Sequence, residues 1–147
     1  MCRSADYLAD LIEGLLDISK IEAGRLELHY ENLNLKQLID ELIEYFSEKA
    51  FQNDLKFTSD ITGYLPQLVY TDEKRLRQIL INLLSNAVKY TSVGGVNFTV
   101  KYRNEVAEFI IKDSGIGIKE SELKKIFEPF NRLDEAKKKA GGTGLGL

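Results

Sequence analysis

The sequence has one cysteine, one histidine, one methionine, two prolines and no tryptophan in 147 residues. A lone thiol, Cys2, cannot close an internal disulfide or build a zinc site by itself, and it fits a reducing, cytoplasmic setting. Long apolar runs are also missing. None approaches the roughly 20 residues that a membrane-spanning helix requires, although a longer parent protein could still carry an anchor elsewhere. The opening residues, Met1-Cys2-Arg3-Ser4-Ala5-Asp6, lead straight into an amphipathic pattern rather than into a signal peptide. Positive charge is in short supply: the net charge is −3, which argues against a nucleic-acid partner held by bulk charge. There is no internal repeat and no low-complexity tract. The remainder, 44% hydrophobic and 29% charged, suits one globular domain with a short appendage.

Periodicity predicts the elements. Leu8, Leu11, Ile12, Leu15, Leu16 and Ile18 are spaced by three and four, so residues 5–23 read as a helix with Ser4 as N-cap and Gly24 as its stop. Its partial seven-residue repeat suggests packing on another helix; an ordinary amphipathic helix covering its own core also fits. Residues 25–31 alternate strictly, which reads as a strand with Leu26, Leu28 and Tyr30 on one face. His29 falls on the other face and reads as an ordinary surface histidine. A second helix is expected over 35–52. Leu55, Phe57 and Ile61 suggest a strand, and 68–71 a short one ending at Asp72, a good N-cap. A third helix follows over 73–90. Val96, Phe98, Val100 and Tyr102 mark a half-buried strand, with a turn at Arg103-Asn104-Glu105 and a partner strand over 106–112. Residues 121–126 read as a short helix, and the polar, lysine-rich 131–142 as a loop.

Three polar motifs stand out against this frame. The first lies on the third helix, Asn82-Leu83-Leu84-Ser85-Asn86-Ala87-Val88-Lys89-Tyr90. At about 100° per residue, Arg75, Gln78, Asn82, Asn86 and Lys89 fall within about 80° of one another. Leu76, Ile79, Leu80, Leu83, Leu84 and Ala87 take the other side. An amide oxygen suits Mg²⁺ bridging phosphates, and a solvated helix face is the plain alternative. The second motif is Asp113-Ser114-Gly115-Ile116-Gly117-Ile118. By strand parity Asp113 shares a face with Phe109 and Ile111, where a carboxylate needs a hydrogen-bond partner. Beside an open glycine turn it could accept from the exocyclic amine of adenine, or it could simply cap its own turn. The third is Gly141-Gly142-Thr143-Gly144-Leu145-Gly146-Leu147, rich in free amides that could cradle phosphate. It lacks the Lys-Ser/Thr of a P-loop and the spacing of a dinucleotide fingerprint.

Taken together, the three motifs resemble the N box and the two glycine boxes of the Bergerat-type ATP-binding fold. The version here most resembles the catalytic domain of sensor histidine kinases of two-component systems. Ile126-Phe127-Glu128-Pro129-Phe130 resembles the F box and 131–142 the ATP lid. Leu16-Asp17-Ile18-Ser19-Lys20-Ile21-Glu22-Ala23-Gly24 resembles the end of the second helix of the dimerisation and phosphoacceptor domain. The resemblance covers nearly the whole chain. It implies an α/β fold, an α+β two-layer sandwich whose mixed sheet carries helices on one face. It divides the chain into residues 1–24, a dimerisation helix, and 25–147, an ATP-binding catalytic domain.

The resemblance also implies roles. ATP and Mg²⁺ are the expected ligands. Asn86 would hold Mg²⁺, with Asn82 supporting the polar site, and Lys89 and Arg132 would meet the phosphates. Tyr90 would lie against the adenine and Asp113 would read its amine, with Gly115, Gly117 and Ile118 lining the base pocket. Phe127 and Phe130 would anchor the lid, and Gly142, Thr143, Gly144, Leu145 and Gly146 would cradle the phosphates. The implied reaction is transfer of the γ-phosphoryl to a histidine, then to an aspartate on a response-regulator receiver domain. The implied partners are that receiver, a phosphoacceptor histidine domain and a second copy of the chain. Related ATPases place a glutamate where Asn82 stands, and asparagine takes no proton at neutral pH. Transfer is therefore expected over hydrolysis; a non-catalytic binding module of the same fold and an ATPase of the superfamily are the alternatives. The family's phosphoacceptor histidine has no counterpart here, and the family continues where this sequence ends at Leu147. The chain alone is thus expected to bind ATP weakly or not at all, not to phosphorylate itself in cis, and to self-associate.

Overall fold

A computed structural model describes residues 3–128. The elements are α1 (Arg3–Glu22), β1 (Glu31–Asn34), α2 (Leu35–Phe51), β2 (Lys56–Thr62), β3 (Leu68–Thr71), α3 (Glu73–Tyr90), β4 (Gly95–Arg103) and β5 (Val106–Asp113), followed by a 3-10 turn at Glu120–Glu122. They fall into two compact units, Met1–Leu28 with Ile118–Leu147, and His29–Gly117.

In the first unit α1 begins at Arg3, so Ser4 lies in its first turn and not at its cap. Its end is the predicted one. The Gly24 amide donates to the Ile21 carbonyl and the Arg25 amide to the Lys20 carbonyl, with Gly24 at φ 64°. This paired closure needs a left-handed residue, which glycine supplies without strain. The short helix expected over 121–126 is reduced to the 3-10 turn and its continuation. Bonds there span three residues, as from Glu122 to Lys119 and Lys125 to Glu122. So short a segment gains too few bonds to nucleate an α-helix.

The second unit has helices α2 and α3 against one face of a mixed sheet. β2 pairs parallel with β4, and β4 pairs antiparallel with β5. Register sets Val96 opposite Asp113, Phe98 opposite Ile111 and Val100 opposite Phe109. Directly paired residues share a face, and Val96, Phe98 and Val100 are buried under the helices. Leu35, Leu38, Ile39, Leu42 and Phe46 of α2, with Leu80, Leu84, Ala87 and Val88 of α3, complete the core. Full burial of such side chains is worth about 1.5–3 kcal/mol each. Arg77 ties the two helices at the surface, donating to Glu41 of α2 and to Glu73 one turn back, each at 3.0 Å.

A separate antiparallel pair, β1 with β3, runs from Glu31 opposite Thr71 to Asn34 opposite Leu68. The strand expected over 25–31 is therefore misplaced: only Glu31 of that stretch is in a ladder. The partner strand stops at Thr71 because Asp72 begins α3, so the alternation upstream of Glu31 has no ladder to join. Tyr30 and Tyr70 instead stack at the surface, ring centroids 5.7 Å apart.

Asp72 caps α3 as expected, Oδ1 accepting from the Arg75 amide at 2.9 Å. Its Oδ2 accepts from the His29 amide at 2.9 Å, so one carboxylate ties the start of this unit to α3. The His29 side chain is exposed, as expected. The amides of Arg75 and, second, His29 hold the Asp72 carboxyl below the ordinary carboxylate range. A carboxyl with a depressed native value stabilises the fold above its unfolded value and ceases to do so as pH falls through the native one. In thermal unfolding, the wild type should melt several degrees above Asp72→Ala at neutral pH. The gap should close on acidification; a gap independent of pH would contradict this origin.

The β4–β5 hairpin turns on Asn104 and Glu105, both left-handed at φ 51° and 62°. A two-residue turn with both φ positive favours Asn-Gly. Replacing Glu105 with glycine should raise stability by about 1 kcal/mol, read as a higher denaturant midpoint with an unchanged slope.

Candidate nucleotide site

α3 carries the first motif and delivers it to the end of β5. Leu80, Leu84 and Ala87 are buried, and Asn82, Asn86, Lys89 and Tyr90 are half-buried along the neighbouring strip. Ile79 departs from its expected place in the core and is 55% exposed. On the wheel it lies about 100° from Leu80, at the margin of the polar strip. Asn82 makes no side-chain hydrogen bond among the described residues. The Lys89 ammonium sits 5.2 Å from the centre of the Tyr90 ring. Thr91, buried, donates its hydroxyl to the Ala87 carbonyl at 2.7 Å and closes the helix.

The second motif meets this helix end through backbone. The Ile116 amide donates to the Tyr90 carbonyl at 3.3 Å. A Cβ on Gly115 would stand 2.5 Å from that carbonyl oxygen and 2.8 Å from Asp113 Oδ1. Only glycine allows so close an approach. Asp113 itself is exposed, and its Oδ1 accepts from the Gly115 amide at 2.8 Å. The carboxylate thus caps its own turn with one oxygen, and the second has no partner among the described residues. The turn-cap reading of Asp113 is thus the one the geometry displays. Gly117 is left-handed at φ 70° with open space where a Cβ would be. Ile116 and Ile118 are exposed at 50% and 40%.

Ser114 carries no signal of its own in the sequence pattern. Its amide donates to the Gly95 carbonyl at 3.1 Å, and its hydroxyl accepts from the Gly95 amide at 2.9 Å and donates to the Val93 carbonyl at 3.1 Å. These bonds link residues 19 to 21 positions apart, so nothing in the local pattern announces them.

Phe127 is 72% exposed. Phe130, Arg132, Gly142, Thr143, Gly144, Leu145 and Gly146 lie outside the described residues. Among the described residues no cluster of three or more His, Cys, Asp or Glu could hold a metal. No helix among them is long and apolar enough to cross a membrane.

A helix ending in Asn-x-x-x-Asn-x-x-Lys-Tyr, closed against an Asp-x-Gly-x-Gly turn on a mixed sheet, defines an ATPase-type nucleotide fold. Residues 71–147 match the family model described as histidine kinase-, DNA gyrase B- and HSP90-like ATPase, and the chain belongs to that family. It is 41% identical over 147 residues to the circadian input-output histidine kinase CikA of Synechococcus elongatus, covering 98% of this chain and 20% of that protein. Hybrid signal transduction histidine kinase B of Dictyostelium discoideum is 37% identical over 150 residues, covering 98% of this chain. The chain spans only 8% of that relative's length. Among solved structures, full-length ShkA in complex with AMPPNP superposes with a TM-score of 0.80 at 31% identity, over 97% of this chain and 29% of that one. Histidine kinase ThkA, solved in complex with the response regulator protein TrrA, gives 0.65 at 27% identity, over 87% and 38% of the two chains. The mixed α/β fold with helices on one sheet face is the one these kinases share.

Proposed function

We propose that this chain is the ATP-binding catalytic part of a sensor histidine kinase, with residues 1–24 the end of its dimerisation helix and 25–147 its ATP-binding domain. The observation that carries the reading is the approach of Gly115 to the Tyr90 carbonyl, which aligns the Asp113 turn with the end of the Asn82–Lys89 strip. The residues present fit an adenine nucleotide. Asp113 has an acceptor oxygen to spare for the base amine, and the glycine turn offers room for a flat ring. Tyr90 adjoins that turn, and Ile118 follows it in the sequence. Asn86 supplies a neutral oxygen for Mg²⁺, Asn82 supports it, and Lys89 supplies positive charge for the phosphates. Arg132, Phe130 and Gly142 to Gly146 are assigned to lid and phosphate cradle on sequence alone. When bound, Mg·ATP supplies the phosphoryl group. The chain's residues fix its base, offset phosphate charge and leave attack to a histidine on a phosphoacceptor domain. Because Asn82 cannot take a proton, no group on the strip activates water at neutral pH.

The relatives' names place them in signal transduction, which supports a phosphoacceptor domain and a response-regulator receiver as partners. Leu8, Ile12, Leu15 and Leu16 of α1 are each about half exposed, which supports self-association through that helix. Light scattering across concentration tests this: a monodisperse monomer throughout would overturn it. The function itself is tested with γ-labelled ATP and a separately supplied phosphoacceptor domain. Label on the acceptor histidine is the expected result. Phosphate release with no labelled acceptor would place the chain with the ATPases.

A further inference from the structure

We propose that Ser114 is a positioning residue for the nucleotide site: its hydroxyl fixes the Asp113 turn on the 91–95 loop and thereby sets how the carboxylate faces the base. The inference rests on the nucleotide reading above and adds a residue that touches no ligand. The hydroxyl's capacity is used on one loop: it accepts from the Gly95 amide and donates to the Val93 carbonyl. The loop is shaped for it. A Cβ on Gly94, at φ 105°, would stand 2.1 Å from Ser114 Oγ, and one on Gly95 would stand 2.2 Å from the Lys56 carbonyl oxygen. Gly94 thus makes room for the Ser114 side chain, while Gly95 lets the same loop close on β2. On the other side the turn is held by the bond from the Ile116 amide to the Tyr90 carbonyl. The turn is therefore gripped from both ends of the segment that joins α3 to β4. Gly115 lies between the two grips, and Asp113, which accepts from its amide at 2.8 Å, immediately precedes the first. Without the hydroxyl, the Gly95 amide loses its bond, and on that side the turn keeps only the bond from the Ser114 amide to the Gly95 carbonyl.

A merely structural serine would lower stability and scale all ligand binding alike. A serine that aims Asp113 would alter which base is preferred, because adenine offers an amine where guanine offers a carbonyl. The experiment compares wild type, Ser114→Ala and Ser114→Thr by calorimetry with Mg·ATP and Mg·GTP, and by amide hydrogen exchange without nucleotide. In Ser114→Ala the GTP-to-ATP ratio of dissociation constants should fall by roughly fivefold. The Gly115 amide should exchange faster, and Ser114→Thr should restore both. An unchanged ratio, or an unchanged Gly115 exchange rate, overturns the proposal. Should the wild type bind neither nucleotide, the nucleotide reading fails as well; the exchange arm then still shows whether Ser114 holds the turn.

Discussion

Asp113→Asn should lower affinity for an ATP analogue by about 10- to 150-fold while leaving the melting temperature nearly unchanged. The two halves of this expectation come from the two oxygens of the carboxylate. Oδ1 accepts from the Gly115 amide, and an asparagine oxygen can do the same, so the turn survives. In the proposed site the other oxygen is the acceptor for the adenine amine. The substitution puts an amino group there and removes the charge, and a hydrogen bond to a charged group is worth about 1.5–3 kcal/mol. Because Asp113 is exposed, its neutralisation changes little in the unliganded fold. Calorimetry with a non-hydrolysable Mg·ATP analogue and a parallel thermal melt check the pair. Equal affinity in both proteins would remove Asp113 from the site; a large fall in melting temperature would make it a structural cap.

Gly115→Ala should be costly in both respects. The added methyl would stand 2.5 Å from the Tyr90 carbonyl oxygen, 3.0 Å from its carbon and 2.8 Å from Asp113 Oδ1. Two of these are backbone atoms at the end of a packed helix and cannot rotate away. Overpacking of this kind costs about 1–3 kcal/mol. Whichever side yields, the turn separates from α3 or the carboxylate is displaced, so nucleotide affinity should fall by more than about tenfold. Gly117→Ala is the control. Open space surrounds that position, so only its positive φ opposes a side chain, at about 1–2 kcal/mol. The melting temperature should drop in both variants. Equal nucleotide affinity in Gly115→Ala and wild type would show that the close approach does not shape the site.

The parts of this fold that were legible in the sequence are those encoded locally. Asp72 announces α3 because a short acceptor side chain before an amphipathic run satisfies an otherwise orphaned amide, and the Arg75 amide indeed donates to it. Gly24 announces the end of α1 for the converse reason. The β4–β5 pairing follows from alternation on both sides of two turn residues. Strand parity also placed Asp113 on the helix-facing side of β5, opposite buried Val96. What escaped depends on distant partners. Residues 25–30 alternate as well as any strand, but β3 is only four residues long and offers them nothing. Ile79 is apolar in kind but lies beside Asn86 on the wheel, at the margin of the polar strip, and the burying surface does not reach it. Ser114 reads as a spacer between Asp113 and Gly115 until the 91–95 loop is seen beside it. The parallel pairing of β2 with β4 likewise joins strands separated by β3 and α3. The motifs gave the site's residues their expected roles, while the backbone contacts that align them required the fold.

The most direct test of the account is a titration of the isotopically labelled chain with a non-hydrolysable Mg·ATP analogue, followed by amide chemical shifts. If α3 and the Asp113 turn form one nucleotide site, the amides of Asn86, Lys89, Tyr90, Gly115 and Gly117 shift together along one saturation curve. Those of the Tyr30–Tyr70 stack and the Asn104–Glu105 turn stay still. Saturable shifts confined to residues away from α3 and the turn, or no shifts at all, would contradict the nucleotide site proposed here.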